Sequence, residues 1–309
     1  MTEVDFDLVI IGGGPAGLTA GLYAARARLK TLLLEGHLPG GQVLITDWVE
    51  NYPGYPEGVT GIDLVRGMTE QARHFGLEME TARVDAIRRD GHVKVVHAGE
   101  RSYRAYAVII ASGASPKKLG VPGEEQFFGK GISSCATCDG PFYRDRIVAA
   151  VGGGDTAVQE SVFLTKFASK VYLIHRRDRF RAEKILQERA LSSDKIEVLW
   201  DTVVTGVSGL TNVENIHIRN LKNGEARTLR ADAFFVWIGI RPNADFLGDE
   251  LDRDDLGFIL TDHRMASSAA GIFAAGDVRA TPLRQIATAV GDGALAAYSA
   301  EHYIEQLDI

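Results

Sequence analysis

Residues 6–17 read FDLVIIGGGPAG. An apolar run of strand length ends on G-x-G-x-x-G, and a helical pattern begins at Pro15, which together form the opening β-turn-α of a dinucleotide-binding unit. Gly12 makes the tight turn, Gly14 lets a pyrophosphate approach the backbone, and Gly17 lets helix and strand pack closely. Free N–H groups and the helix dipole favour the anion. A second strand is expected at 31–35, TLLLE, ending on Glu35, whose carboxylate can accept hydrogen bonds from ribose hydroxyls. With no ligand, the same stretch is a tight strand-to-helix turn.

The pattern returns at 147–157, IVAAVGGGDTA, with a second strand at 171–175, VYLIH. Gly152, Gly154, Ala157 and His175 follow Gly12, Gly14, Gly17 and Glu35 at one constant offset of 140 residues. Two dinucleotide-binding units in one chain is the simplest reading. The second has no acid at the end of its second strand; His175, Arg176 and Arg177 stand there, with Arg181 following. Planar guanidiniums suit a 2′-phosphate, so NADPH is expected rather than NADH. The run RRDRFRAEK also suits the solvated start of a helix. Helices are expected over 15–28, 155–168 and about 283–307.

The two cysteines, Cys135 and Cys138, are spaced C-x-x-C in GISSCATCDGPF. They are too few for a four-cysteine zinc site or a disulfide scaffold, so no metal is expected. C-x-x-C is a redox spacing. Asp139 follows directly and is either a proton donor or acceptor beside the dithiol or a turn or cap aspartate. Two dinucleotide sites and a dithiol make an electron relay, because a flavin accepts hydride from a nicotinamide and passes two electrons to a disulfide. The Glu35 unit is expected to hold FAD and the arginine unit NADPH.

A chain of 309 residues allows about two domains. Its net charge of −7 lacks the basic footprint of a nucleic-acid binder. The uncharged run from Leu8 to Ala25 follows the acidic MTEVDFD and is broken by glycines. It is therefore not a signal peptide or membrane span, and a cytoplasmic protein without membrane attachment is expected. Breakers cluster at 113–123 and 239–244 as candidate crossings between domains. The stretches 88–104 and 205–230 carry no motif.

In order along the chain stand GGGPAG (12–17), GGQ (40–42), VENYPG (49–54), ASGA (111–114), CATCDG (135–140), GGGDTA (152–157), HRRDRFR (175–181), GIRPN (239–243), AAGDV (274–278) and LRQ (283–285). With these the chain resembles the low-molecular-weight thioredoxin reductases over essentially its whole length. The resemblance implies an α/β fold of two Rossmann-like domains, with an NADPH domain (116–245) inserted into a discontinuous FAD domain (1–115 plus 246–309). It implies that Gln42 and Asn51 reach the flavin side of FAD, and that Asp277, Arg284 and Gln285 serve its ribityl–phosphate region. Cys138 then faces the flavin, Cys135 attacks the disulfide of thioredoxin or a thioredoxin-like protein, and Asp139 is the acid/base. The resemblance further implies a homodimer and aligns Phe142 and Arg73 with partner-contacting positions. Ser112 departs from the threonine common in the family. Rival readings are the flavoprotein of alkyl hydroperoxide systems, a ferredoxin-linked relative, a dithiol oxidase and a flavoprotein redox sensor.

Overall fold

In this computed structural model, residues 4–46, 49 and 51–307 are described, without the side chains of Ile45, Thr137 and Cys138. The chain divides into two compact units, Met1–Ser115 with Arg241–Ile309, and Pro116–Ile240.

The first unit opens with β1 (Phe6–Ile11), α1 (Pro15–Arg26) and β2 (Thr31–Glu35). The helix α2 (Gly61–His74) leads to β3 (Glu78–Thr81), and then β4 (Ala86–Asp90), β5 (Val93–Ala98) and β6 (Arg101–Ile110) follow. The sheet order is β3-β2-β1-β6-β5-β4. The first four strands run parallel and β6-β5-β4 is an antiparallel meander. This meander is what the motif-free stretch 88–104 forms. From Leu8 to Ile11, where it is buried on both faces, β1 is a continuous apolar run, as expected of a covered parallel strand.

The second unit contains β7 (Ile132–Ser133), α3 (Ala136–Asp139), β8 (Ile147–Gly152), α4 (Asp155–Leu164), β9 (Lys170–Ile174) and α5 (Lys184–Leu191). Then come β10 (Ile196–Leu199), β11 (Thr202–Ser208), β12 (Asn215–Asn220), β13 (Ala226–Arg230) and β14 (Ala233–Trp237). A parallel five-stranded sheet has the order β10-β9-β8-β14-β7. Strands β11-β12-β13 form a separate antiparallel sheet, which accounts for most of the motif-free stretch 205–230.

On its return the chain completes the first unit with β15 (Ile272–Ala274) and α6 (Ile286–Glu305). β6 is long enough to pair β5 along Arg101–Ala105 and β15 along Val108–Ile110. α1 and α6 both pack on the sheet and against each other, closely enough that a Cβ on Gly293 of α6 would strike the Ala16 backbone, and small residues (Ala16, Ala20, Ala24, Ala289, Ala296 and Ala300) populate the core they share. Lys94 on β5 is only 1% exposed. Its Nζ donates to Tyr303 Oη of α6 and to the His92 carbonyl, each at 3.0 Å. Gly271 makes room for this pair, since a Cβ there would run into Lys94 Nζ. Burial lowers the Lys94 pKa to about 8, assisted by Arg89.

Several element ends differ from expectation. α1 stops at Arg26, because Arg28 takes a left-handed conformation. α4 stops at Leu164, after which Thr165, Lys166 and Phe167 donate three-residue turn bonds to Val162, Phe163 and Leu164. α6 begins at Ile286, because Gln285 is its extended N-cap.

Candidate functional site

In the first unit Gly12 has φ +105°, a left-handed value that favours glycine. A Cβ on Gly17 would strike the Gly12 carbonyl oxygen, so the third glycine is required by packing. Gly14 faces open space and caps α1 without a side-chain bond, with Pro15 next. No side chain caps the first turn of α1, and its N–H groups are left to an anion. Glu35 Oε2 accepts from Gly13 N at 2.6 Å and Oε1 from His37 N at 3.0 Å. The segment before Gln42 is tied to the same turn, with Gly40 N donating to Gly13 O at 2.7 Å. Gln42 itself is exposed on the turn Gly41–Ile45.

Asn51 Nδ2 donates to Gln285 Oε1 at 2.9 Å, joining two expected cofactor residues across 234 positions. Gln285 is also half of a reciprocal capping box with Thr288. Asp277 sits half-buried in the turn Gly276–Val278. Burial raises its pKa, opposed by Arg284 and reinforced by Asp292. The Arg284 guanidinium lies 4.1 Å from the Phe258 ring centroid, and its buried Nε has no hydrogen-bond partner among the described residues. No motif marks the half-buried ion pair beside these residues: Arg279 Nε and Nη2 reach Asp292 Oδ2 and Oδ1 at 2.7 and 3.0 Å. Gly276 N adds a third bond to that carboxylate. An open glycine turn, a carboxylate at the end of β2 and an unpartnered buried guanidinium N–H fit an anionic dinucleotide such as FAD.

In the second unit Gly154 again faces open space, and Gly152 lies so close to Trp237 and Ala157 that a Cβ would collide with both. His175 is 5% exposed. Its ring lies against Gly153, and Nε2 is 3.0 Å from the Arg179 carbonyl. Burial lowers its pKa, hydrogen bonding with the Gly152 and Arg179 backbone opposes this, and Arg177 and Arg181 add to the lowering. Arg176, Arg177 and Arg181 are exposed, as is Arg179, which the motif reading passed over. The run RRDRFRAEK does not begin a helix; α5 starts at Lys184. Phe180 and Ala182 are buried and pull the chain inward, and Arg181 N bonds across to Gly153 O at 2.7 Å instead of into a helical ladder.

Cys135 is disulfide-bonded, and the side chain of Cys138 lies outside the described residues. Ser133 Oγ accepts from Cys135 N at 3.0 Å. Trp237 Nε1 donates to Ser134 O at 2.9 Å, anchoring the strand that precedes the cysteine. Asp139 N bonds to Cys135 O at 3.2 Å, and the Asp139 side chain forms no capping bond for the turn Gly140–Tyr143. Burial raises the Tyr143 pKa, with Asp139 and Asp232 adding to the effect. Phe142 is 76% exposed. Arg73 is exposed on α2 of the first unit. Among the described residues no helix is long and apolar enough to cross a membrane.

Two units, each with parallel strands and a glycine turn opening a helix, and a disulfide-bonded cysteine in one of them define a nucleotide-dependent disulfide oxidoreductase. The family model for pyridine nucleotide-disulphide oxidoreductases matches residues 6–293, and the chain belongs to that family. Within it the chain belongs with the low-molecular-weight thioredoxin reductases. It is 45% identical to the thioredoxin reductase of Treponema pallidum (strain Nichols) over 305 residues, 99% of each chain. It is 45% identical to that of Bacillus subtilis (strain 168), covering 99% of this chain and 96% of the relative. The crystal structure of Lactococcus lactis thioredoxin reductase superposes with a TM-score of 0.82 at 42% identity, covering 98% of this chain and all of that one.

Proposed function

We propose that the enzyme reduces the disulfide of thioredoxin or a thioredoxin-like protein with NADPH, through FAD and a Cys135/Cys138 redox pair, as a cytoplasmic homodimer. The observation that carries this reading is the bonded Cys135 in a unit whose nucleotide turn is followed by arginines where the other unit has Glu35. Bound FAD supplies a two-electron carrier between a nicotinamide and a dithiol. On the first unit Gly12, Gly14 and Gly17 hold its pyrophosphate, Glu35 its ribose, and Gln42, Asn51, Asp277, Arg284 and Gln285 the remainder. On the second, Gly152, Gly154 and Ala157 shape the NADPH turn, and Arg176, Arg177 and Arg181 take the 2′-phosphate. Once reduced, the Cys135 thiolate attacks the partner disulfide, forming a mixed disulfide and releasing one partner thiolate. Cys138 then attacks Cys135, restoring the internal disulfide and freeing the second thiolate. Asp139, free of a capping bond, exchanges protons with the dithiol.

A steady-state assay with NADPH, NADH, a thioredoxin and an aromatic disulfide tests this. Expected are about one FAD released per chain on denaturation, turnover of thioredoxin with NADPH, and loss of that turnover in Cys135→Ser and in Cys138→Ser. An FAD-loaded enzyme that reduces no disulfide with NADPH would overturn the reading.

A further inference from the structure

His175 occupies the position that Glu35 occupies in the first unit, 140 residues earlier, but its side chain does something else. Glu35 puts a carboxylate on Gly13 N–H at 2.6 Å. His175 puts a buried ring against Gly153 and aims Nε2 at the Arg179 carbonyl 3.0 Å away. A carbonyl only accepts, so Nε2 carries the hydrogen.

We propose that His175 is a positioning residue for 2′-phosphate selectivity: it fastens the backbone of the arginine segment to the glycine turn so that the guanidiniums are presented in a fixed array. The proposal rests on the NADPH reading above and assigns His175 no contact with the phosphate. The segment is tied at three further points. Arg181 N donates to Gly153 O at 2.7 Å, and Asp201 N donates to Arg177 O at 3.2 Å. The Phe180 ring packs with centroids 5.5 Å from His175 and 4.4 Å from Trp200. Every second residue of the segment therefore has one backbone group held, while the side chains of Arg176, Arg177, Arg179 and Arg181 are exposed. A locked backbone with outward donors loses little entropy when an anion arrives. An acid here would place a negative charge in the 2′-phosphate site and would not donate to Arg179 O.

The charged groups acting on His175 are Arg177 and Arg181, both cationic. The glycine turn presents backbone, including the Gly152 carbonyl, and the end of β10 presents the Trp200 ring. Protonation would keep the Nε2–H donor and add one toward the Gly152 carbonyl, so the fastening rests on the hydrogen bond and not on the charge of the ring.

The test is calorimetry on the FAD-loaded enzyme, with adenosine 2′,5′-bisphosphate and 5′-AMP as probes. His175→Ala should weaken the bisphosphate about 10-fold, the worth of roughly one hydrogen bond, and 5′-AMP less than about 2-fold. His175→Gln keeps a donor and should recover most of the loss, whereas His175→Phe keeps a ring without a donor and should not. Equal weakening of both probes, or no recovery in His175→Gln, would overturn the proposal. If His175→Ala does not fold, the comparison of His175→Gln with His175→Phe decides. A wild type that binds both probes equally would instead overturn the NADPH reading.

Discussion

The two glycine turns share a backbone plan and differ in what surrounds them. Around the first, charge is buried or half-buried: Glu35 on Gly13 N–H, the Arg279–Asp292 pair on Gly276 N–H, Asp277, and further back Lys94 against Tyr303. Around the second, rings are buried or half-buried: His175, Phe180 and Trp200 beside the arginine segment, and Phe235 stacked on Trp237 at 5.4 Å. Fixed charge orients donors and acceptors, but each buried ion must be partnered or it destabilises the fold. Rings give a stiff platform and leave the charge outside, free to meet a ligand. One α/β plan therefore carries two kinds of ligand recognition, and the distinction lies in the layer just beneath each turn.

The severest way to break the comparison is at the third small residue of each turn. Gly17→Ala drives a methyl into the Gly12 carbonyl. We expect no stable, FAD-containing protein, read as lost flavin absorbance after purification. Asp292→Ala strands Arg279 and should cost about 3–5 kcal/mol in urea unfolding, because one partner of a buried pair remains. Lys94 sharpens the contrast through pH. Its folded pKa, about 8, lies below the ordinary 10.5. Between those values the unfolded chain binds the extra proton, so this group's contribution to stability improves as pH rises and worsens as pH falls through 8. Wild type minus Lys94→Met stability should therefore increase by up to about 3 kcal/mol from pH 8 to 10.5, measured by urea titration at each pH. The smallest effect is the mirror of the first. Ala157→Gly relieves no clash and should cost only about 1 kcal/mol by thermal melting.

The turns were legible because their demands are local. A Cβ is forbidden at Gly17 and tolerated at Ala157, and the strands beside them carry short apolar runs, residues 8–11, 32–34 and 147–151. The constant offset made the second unit readable from the first. Partners far apart in sequence were not legible. Lys94 lies in a strand whose alternation suggests nothing unusual, and only the distant Tyr303 and Gly271 explain its burial. The arginine run looked like a helix start because its composition is helical. Tertiary burial of Phe180 and Ala182 overrode that preference. The pattern marks His175 as a cofactor residue but not where its ring points; the ring meets Trp200, 25 residues on, edge to face.

The double pairing of β6 has a consequence for synthesis. Its C-terminal end offers an unpaired edge at Val108–Ile110 until residues 272–274 emerge from the ribosome. α1 likewise waits for α6 to cover its alanine face. All of the second unit, Pro116–Ile240, is made in that interval and holds its own sheets and core. The middle of the chain can therefore fold first, while the first 115 residues stay an open-edged, sticky intermediate. A ribosome stalled in this window holds a nascent chain that needs chaperone cover, and premature stop codons between 115 and 270 should yield aggregates rather than a soluble flavin-binding fragment.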